Sequence, residues 1–194
     1  MHENRYPVVS LARDSRFVFL RFLQTPQGRN RTGLYLIEGI RHLVRAVEHR
    51  AAIESVFLDP LVLSNRFGRR LVDRLRKAAV PGIRLAPQLY RELTLASEPQ
   101  GIGAVLRQEW VAVCNIAIAK DSLWLALESI ESPGNLGTII RTAEAAGVAG
   151  IFLLDSDSDP YEPGAVRASR DPYFRKNWHA VQSGNSGNGR GRRM

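Results

Sequence analysis

The chain has 194 residues, 44% hydrophobic and 24% charged, which suits one large domain or two small ones with a buried core and excludes a disordered polyelectrolyte. No apolar run approaches the ~20 residues of a membrane span, the first residues lack the apolar region of a signal peptide, and one cysteine, Cys114, rules out an internal disulfide; a cytoplasmic protein without a membrane partner is the expectation. The formal net charge of +8 suits an RNA partner but also occurs in unrelated soluble proteins, and His2, His42, His49 and His179 follow no metal-ligand spacing, so no metal is expected.

Residues 9–24 read as an amphipathic helix, with Leu11, Val18, Phe19, Phe22 and Leu23 on the apolar side and Arg13, Arg16 and Arg21 toward solvent. Residues 27–33 read as a polar, basic loop carrying Arg29 and Arg31. Residues 34–38 are strand-like. A helix over 39–50 follows, with Ile40, Leu43, Val44 and Val47 at helical spacing and Arg41, Arg45 and Arg50 outside that stripe. Residues 55–58 suggest a strand and 66–79 a helix with Phe67, Leu71, Leu75 and Ala78 inward. Pro81 and Gly82 end it. A short strand at 83–85, a helix over 87–95 begun by Pro87, and strands at 101–106 and 111–113 complete this half. Alternating strands and helices over 9–108 suggest a small α/β sandwich.

The most informative stretch is residues 127–148. An apolar strand at 123–127 leads into a tight loop, Pro133-Gly134-Asn135-Leu136-Gly137. A helix follows from Thr138, with Ile139, Ile140, Ala143 and Ala146 inward and Gly147 closing it, and then a second apolar strand at 149–155. This is a βαβ unit, whose ligands sit beyond the carboxyl ends of its strands. Glycines in the loop let backbone amides approach a ligand, and the helix N-terminus after them favours negative charge. Arg141 stands one turn into the helix with five donors and a permanent charge. On spacing alone, an ordinary turn with a surface arginine is an equal reading. A nucleotide-binding Rossmann loop is disfavoured, because Gly-x-Gly-x-x-Gly is missing.

The full string is more specific than its spacing. Glu128, Pro133, Asn135, Gly137, Arg141, Thr142, Ala143 and Gly147 resemble the first motif of the SpoU/TrmH family of RNA 2′-O-methyltransferases. The resemblance implies methyl transfer from S-adenosylmethionine to a ribose 2′-hydroxyl of rRNA or tRNA, in the cytoplasm, by a homodimer. It implies that Arg141 is the catalytic arginine activating the hydroxyl, that Asn135 helps shape the site, and that Glu128, Pro133, Gly137 and Thr142 support the motif. Arginine is a poor general base, so stabilising a developing alkoxide or an RNA phosphate is the more cautious role for Arg141. Arg29 and Arg31, with Leu34-Tyr35-Leu36-Ile37-Glu38-Gly39, resemble the basic loop and first strand of the RNA-binding domain that precedes many SpoU catalytic domains. There they contact phosphate; the alternative is a solvated loop.

The implied organisation is an RNA-binding α/β sandwich over 1–108, a linker over 109–121, a partial parallel-sheet α/β-knot methyltransferase domain over 122–169, and a basic, disordered tail over 170–194. The family's second and third motifs, which build the knot and hold the cofactor, do not occur in this sequence. The expectation is a C-terminally truncated enzyme whose cofactor-binding residues are unknown. The competing function is a non-catalytic RNA-binding remnant, in which the tail, holding six basic residues and one acid, adds an RNA-attracting arm with Tyr173, Phe174 and Trp178 as stacking groups.

Overall fold

The computed structural model describes residues 6–154, 158–170 and 180–182. Two β-sheets organise them. The first has five strands in the order β1-β4-β3-β5-β2: β1 (Val8–Val9), β2 (Leu34–Glu38), β3 (Ile53–Leu58), β4 (Gly82–Leu85) and β5 (Ile102–Arg107). β1, β4 and β3 are parallel, and β5 runs antiparallel to both β3 and β2. Side chains alternate across this sheet. Tyr35, Ile37, Val56, Leu58, Ala104 and Leu106 face α3 (Ile40–Glu48) and α4 (Arg66–Lys77), whereas Leu36, Phe57 and Val105 face α1 (Ser15–Leu23) and α5 (Pro87–Leu93). The period of two places helices on both faces, which is a sandwich of three layers.

The structure revises three local readings in this half. Residues 9–24 are not one helix. Val8–Val9 pair with β4, and α1 begins only at Ser15, where the Asp14 carboxylate accepts from the Arg16 N–H at 2.9 Å. Its buried face is Phe17, Leu20 and Leu23, whereas Leu11 and Val18 are half exposed; the expected stripe was rotated because the helix start was set too early. Residues 27–33 are not a loop but part of α2 (Pro26–Thr32). Thr25 caps it by accepting from the Gly28 N–H at 3.0 Å, Pro26 sits in the first turn, and Gly33 ends it at φ +65°. Residues 111–113 form no strand; a single 3₁₀ turn spans Val113–Asn115.

The second sheet is parallel, in the order β6-β7-β8: β6 (Trp124–Leu127), β7 (Gly150–Leu153) and β8 (Ala180–Gln182). Part of the expected disordered tail is therefore strand β8; Tyr173, Phe174, Trp178 and residues 183–194 lie outside the described residues. The helix between β6 and β7 is α6 (Pro133–Ala145), and α7 (Pro163–Ser169) packs against it. Gly147 stops α6 at φ +75°, and the Val148 N–H reaches back to the Ala143 carbonyl at 2.9 Å.

The halves meet through a polar and aromatic joint. The Tyr161 ring lies 4.7 Å from that of Tyr35 and 5.3 Å from that of Trp110, centroid to centroid. Its hydroxyl donates to the Glu109 carbonyl at 2.6 Å and accepts from the Glu109 N–H at 2.9 Å. Beside it, Arg29 Nε donates to Asp159 at 2.7 Å, and Arg29 Nη1 donates to the carbonyls of Leu23 at 3.1 Å and Gln24 at 2.7 Å. Among the described residues, no helix is long and apolar enough to cross a membrane.

Candidate active site

The segment read as a glycine loop is the first turn of α6. Ser132 is the N-cap, accepting from the Asn135 N–H at 3.4 Å, and Pro133 occupies the first helical turn, where its missing N–H costs nothing. The glycines were therefore misassigned. A Cβ on Gly137 would stand 2.3 Å from the Ala165 carbonyl oxygen and 2.7 Å from the Ala168 Cβ. Gly137 is small so that α6 and α7 can touch, not so that a ligand can approach. Leu136, Ile140 and Ala143 are buried on the neighbouring face of α6.

The polar residues of the motif lie on the exposed side. Asn135, Arg141 and Thr142 are all exposed, and so is Glu128, one residue beyond the end of β6. Thr142 donates to the Thr138 carbonyl at 2.9 Å, and Thr138 to that of Gly134 at 2.8 Å, so both hydroxyls are returned to the helix backbone. Asn135 and Arg141 do not share a hollow. Six residues apart on a helix, they project to different sides. Asn135 lines an open hollow of about 510 Å³ with Ser129, Ile130, Glu131, Ser132 and Thr138. Arg141 lines a smaller cavity of about 190 Å³ with Glu144, Ser169 and Arg170 on its own side, and with Arg41, Arg45 and His49 of α3 and its C-terminal cap on the other.

The two arginines of the expected basic loop separate. Arg31 is exposed, with its guanidinium 5.8 Å from the centre of the Phe22 ring. Arg29 is 0% exposed and committed to Asp159. The expectation that it contacts RNA is corrected: a buried guanidinium already holding a carboxylate and two carbonyls presents nothing to a phosphate. The signal missed in the sequence is the spacing of Arg41, Arg45 and His49. At i, i+4 and i+8 they form one basic stripe along α3.

Known proteins resemble the chain over both halves. Residues 122–186 match the SpoU rRNA Methylase family and residues 17–104 the MRM3-like substrate binding domain. The 23S rRNA (uridine(2479)-2′-O)-methyltransferase of Streptomyces viridochromogenes is 32% identical over 75% of this chain and 50% of its own length. The mitochondrial rRNA methyltransferase 3 of Xenopus tropicalis is 29% identical over 87% of this chain and 38% of its own. Among solved structures, the SpoU methyltransferase AviRb from S. viridochromogenes, in complex with the cofactor AdoMet, superposes with a TM-score of 0.77 at 29% identity, covering 88% of this chain and 63% of that one. An rRNA methyltransferase from Sinorhizobium meliloti shares the fold, with a TM-score of 0.78 at 23% identity over 93% of this chain and 67% of that one. The chain spans about half the length of the first of these curated relatives. In its residues 122–186, behind a substrate-binding half of the MRM3-like type, this chain belongs to the SpoU rRNA methylase family.

Proposed function

We propose that the chain takes part in S-adenosylmethionine-dependent methylation of a ribose 2′-hydroxyl in rRNA or tRNA, with Arg141 as the catalytic residue. The observation carrying this reading is the position of Arg141: exposed on the motif helix and facing a basic cavity shared with the other half of the chain. A guanidinium keeps its proton in proteins, so Arg141 acts as a donor. It stabilises the negative charge that grows on the ribose oxygen as the hydroxyl proton departs. Asn135 shapes the neighbouring hollow. Glu128, Pro133, Gly137 and Thr142 support the motif, and exposed Arg31 contributes a phosphate contact. We assign RNA binding to residues 1–108, a linker to 109–121 and the methyltransferase segment to 122–169. A homodimer and a cytoplasmic location complete the proposal, the latter supported by the free, exposed thiol of Cys114.

S-adenosylmethionine brings a methyl group already activated on sulfonium sulfur. The described residues do not by themselves complete a site for it. The hollow beside Asn135 is broad and open, with hydroxyls, one amide and the Glu131 carboxylate at its rim, and its described lining includes no aromatic side chain to hold an adenine. That observation favours a second reading, RNA binding without methyl transfer by this chain alone. Incubating the chain with rRNA and tritiated S-adenosylmethionine separates the two. Incorporation that is lost in Arg141→Ala supports catalysis. RNA binding with neither incorporation nor calorimetric binding of the cofactor supports the second reading.

A further inference from the structure

We propose that Arg41 and Arg45 of α3 join Arg141 of α6 and Arg170 at the end of α7 in a composite site for one phosphodiester of the RNA backbone. The inference rests on the RNA reading above and goes beyond it by naming how the strand is seated. All four arginines line one cavity of about 190 Å³, where the only carboxylate in the lining is that of Glu144. His49 stands at the same wall. The Arg45–Glu48 pair, 3.0 Å apart and half exposed, removes little of this charge.

Three physical points favour a phosphate. Four like charges around one hollow repel one another, and an anion held among them reverses the sign of that energy. A guanidinium is a planar fork that meets phosphate oxygens two at a time. The space is several times the ~30 Å³ share of a water molecule, so it takes a phosphodiester with a few waters but not a folded RNA element. The charges also come from segments about a hundred residues apart, Arg41 and Arg45 from one half of the chain and Arg141 and Arg170 from the other. A phosphate held here bridges the halves and brings the adjoining ribose to Arg141. Arg41 and Arg45 are thus positioning residues.

The test is RNA binding by the full chain, measured across a salt series with a labelled single-stranded rRNA segment. For Arg41→Ala/Arg45→Ala, the slope of log affinity against log salt becomes shallower by about 0.7 to 1, the value for one lost phosphate contact, and affinity at low salt falls roughly 10-fold. Arg70→Ala/Arg74→Ala removes the same charge from exposed positions on α4 outside the cavity and changes the slope far less. Arg41→Lys/Arg45→Lys keeps the slope, and circular dichroism confirms that each variant is folded. Equal effects of the two alanine pairs, or none from either, overturn the proposal. So does displacement of RNA by micromolar inorganic phosphate at constant ionic strength, which assigns the hollow to free phosphate. Absence of salt-dependent RNA binding in the unmodified chain is a different failure, because it removes the RNA reading itself.

Discussion

Replacing Arg29 by alanine tests whether this arginine holds the fold together or touches RNA. Its side chain is 0% exposed, and that of its partner Asp159 is 18% exposed. The substitution leaves Asp159 facing a void and strips charged donors from the Leu23 and Gln24 carbonyls. Breaking a buried pair by removing one partner costs about 3–5 kcal/mol. The residual exposure of Asp159, and its hydrogen bond from the Tyr161 N–H at 2.9 Å, argue for the lower end. A loss of about 3 kcal/mol is a large part of the ~5–15 kcal/mol that holds a domain folded. With a urea slope of about 2 kcal/mol per molar, the unfolding midpoint falls by roughly 1.5 M. Arg29→Lys keeps the charge but not the fork and loses about half as much. Arg31→Ala, at an exposed site, stays within about 1 kcal/mol. The assay is urea unfolding of the three variants, with RNA affinity measured on the folded proteins. A stable Arg29→Ala protein that binds RNA ten times more weakly would refute this reasoning and return Arg29 to the RNA surface.

Gly137→Ala gains about 1 kcal/mol of helix propensity but forces a Cβ against backbone, at a cost of about 1–3 kcal/mol. With the carbonyl oxygen only 2.3 Å away, the cost wins, and calorimetry should find Tm lower by roughly 5 °C. Arg141→Ala should leave thermal stability within about 0.5 kcal/mol, because the site is exposed, while any methyl transfer measured by tritium incorporation drops by about 10²–10³. Burial raises the Tyr161 phenol above its ordinary value. The unfolded phenol ionises near pH 10 and the folded one only at higher pH, so the stabilisation is complete below about pH 10 and is lost as pH rises beyond it, by up to ~1.4 kcal/mol per pH unit. Tyr161→Phe removes that alkaline component and costs about 1–3 kcal/mol at neutral pH by stranding both backbone groups of Glu109; denaturant midpoints from pH 7 to 11 check both.

Periodicity made most of the fold legible. Strands β2 to β7 and helices α3 to α6 lie where the apolar spacing placed them, because each buries a face within its own segment. What stayed hidden depended on distant partners. Val8–Val9 is too short to announce itself and exists through β4, more than seventy residues away. Arg29 looked like a surface residue because Asp159 follows it by 130 residues. α2 was legible in principle, since Thr25-Pro26 and Gly33 are start and stop signals, but its polar interior reads as loop. In the site, the motif was visible as a string, but the duty of Gly137 was not, because the obstacle it avoids belongs to α7. The arginines of α3 were seen as a solvent face; only the docking of α3 beside α6 gathers them around Arg141.

The pairing of Arg29 with Asp159 also orders events in time. The chain emerges from the ribosome N-terminus first, at about 5–20 residues per second. Every side chain of the five-stranded sheet is then available for many seconds before Asp159 is made. Until that moment Arg29 cannot be sealed in without stranding a charge, so α2 stays hydrated and loosely seated on a sheet that is otherwise complete. Synthesis of residue 159 is the event that lets the first half finish, and the nascent chain has a built-in pause between assembling its strands and closing over them.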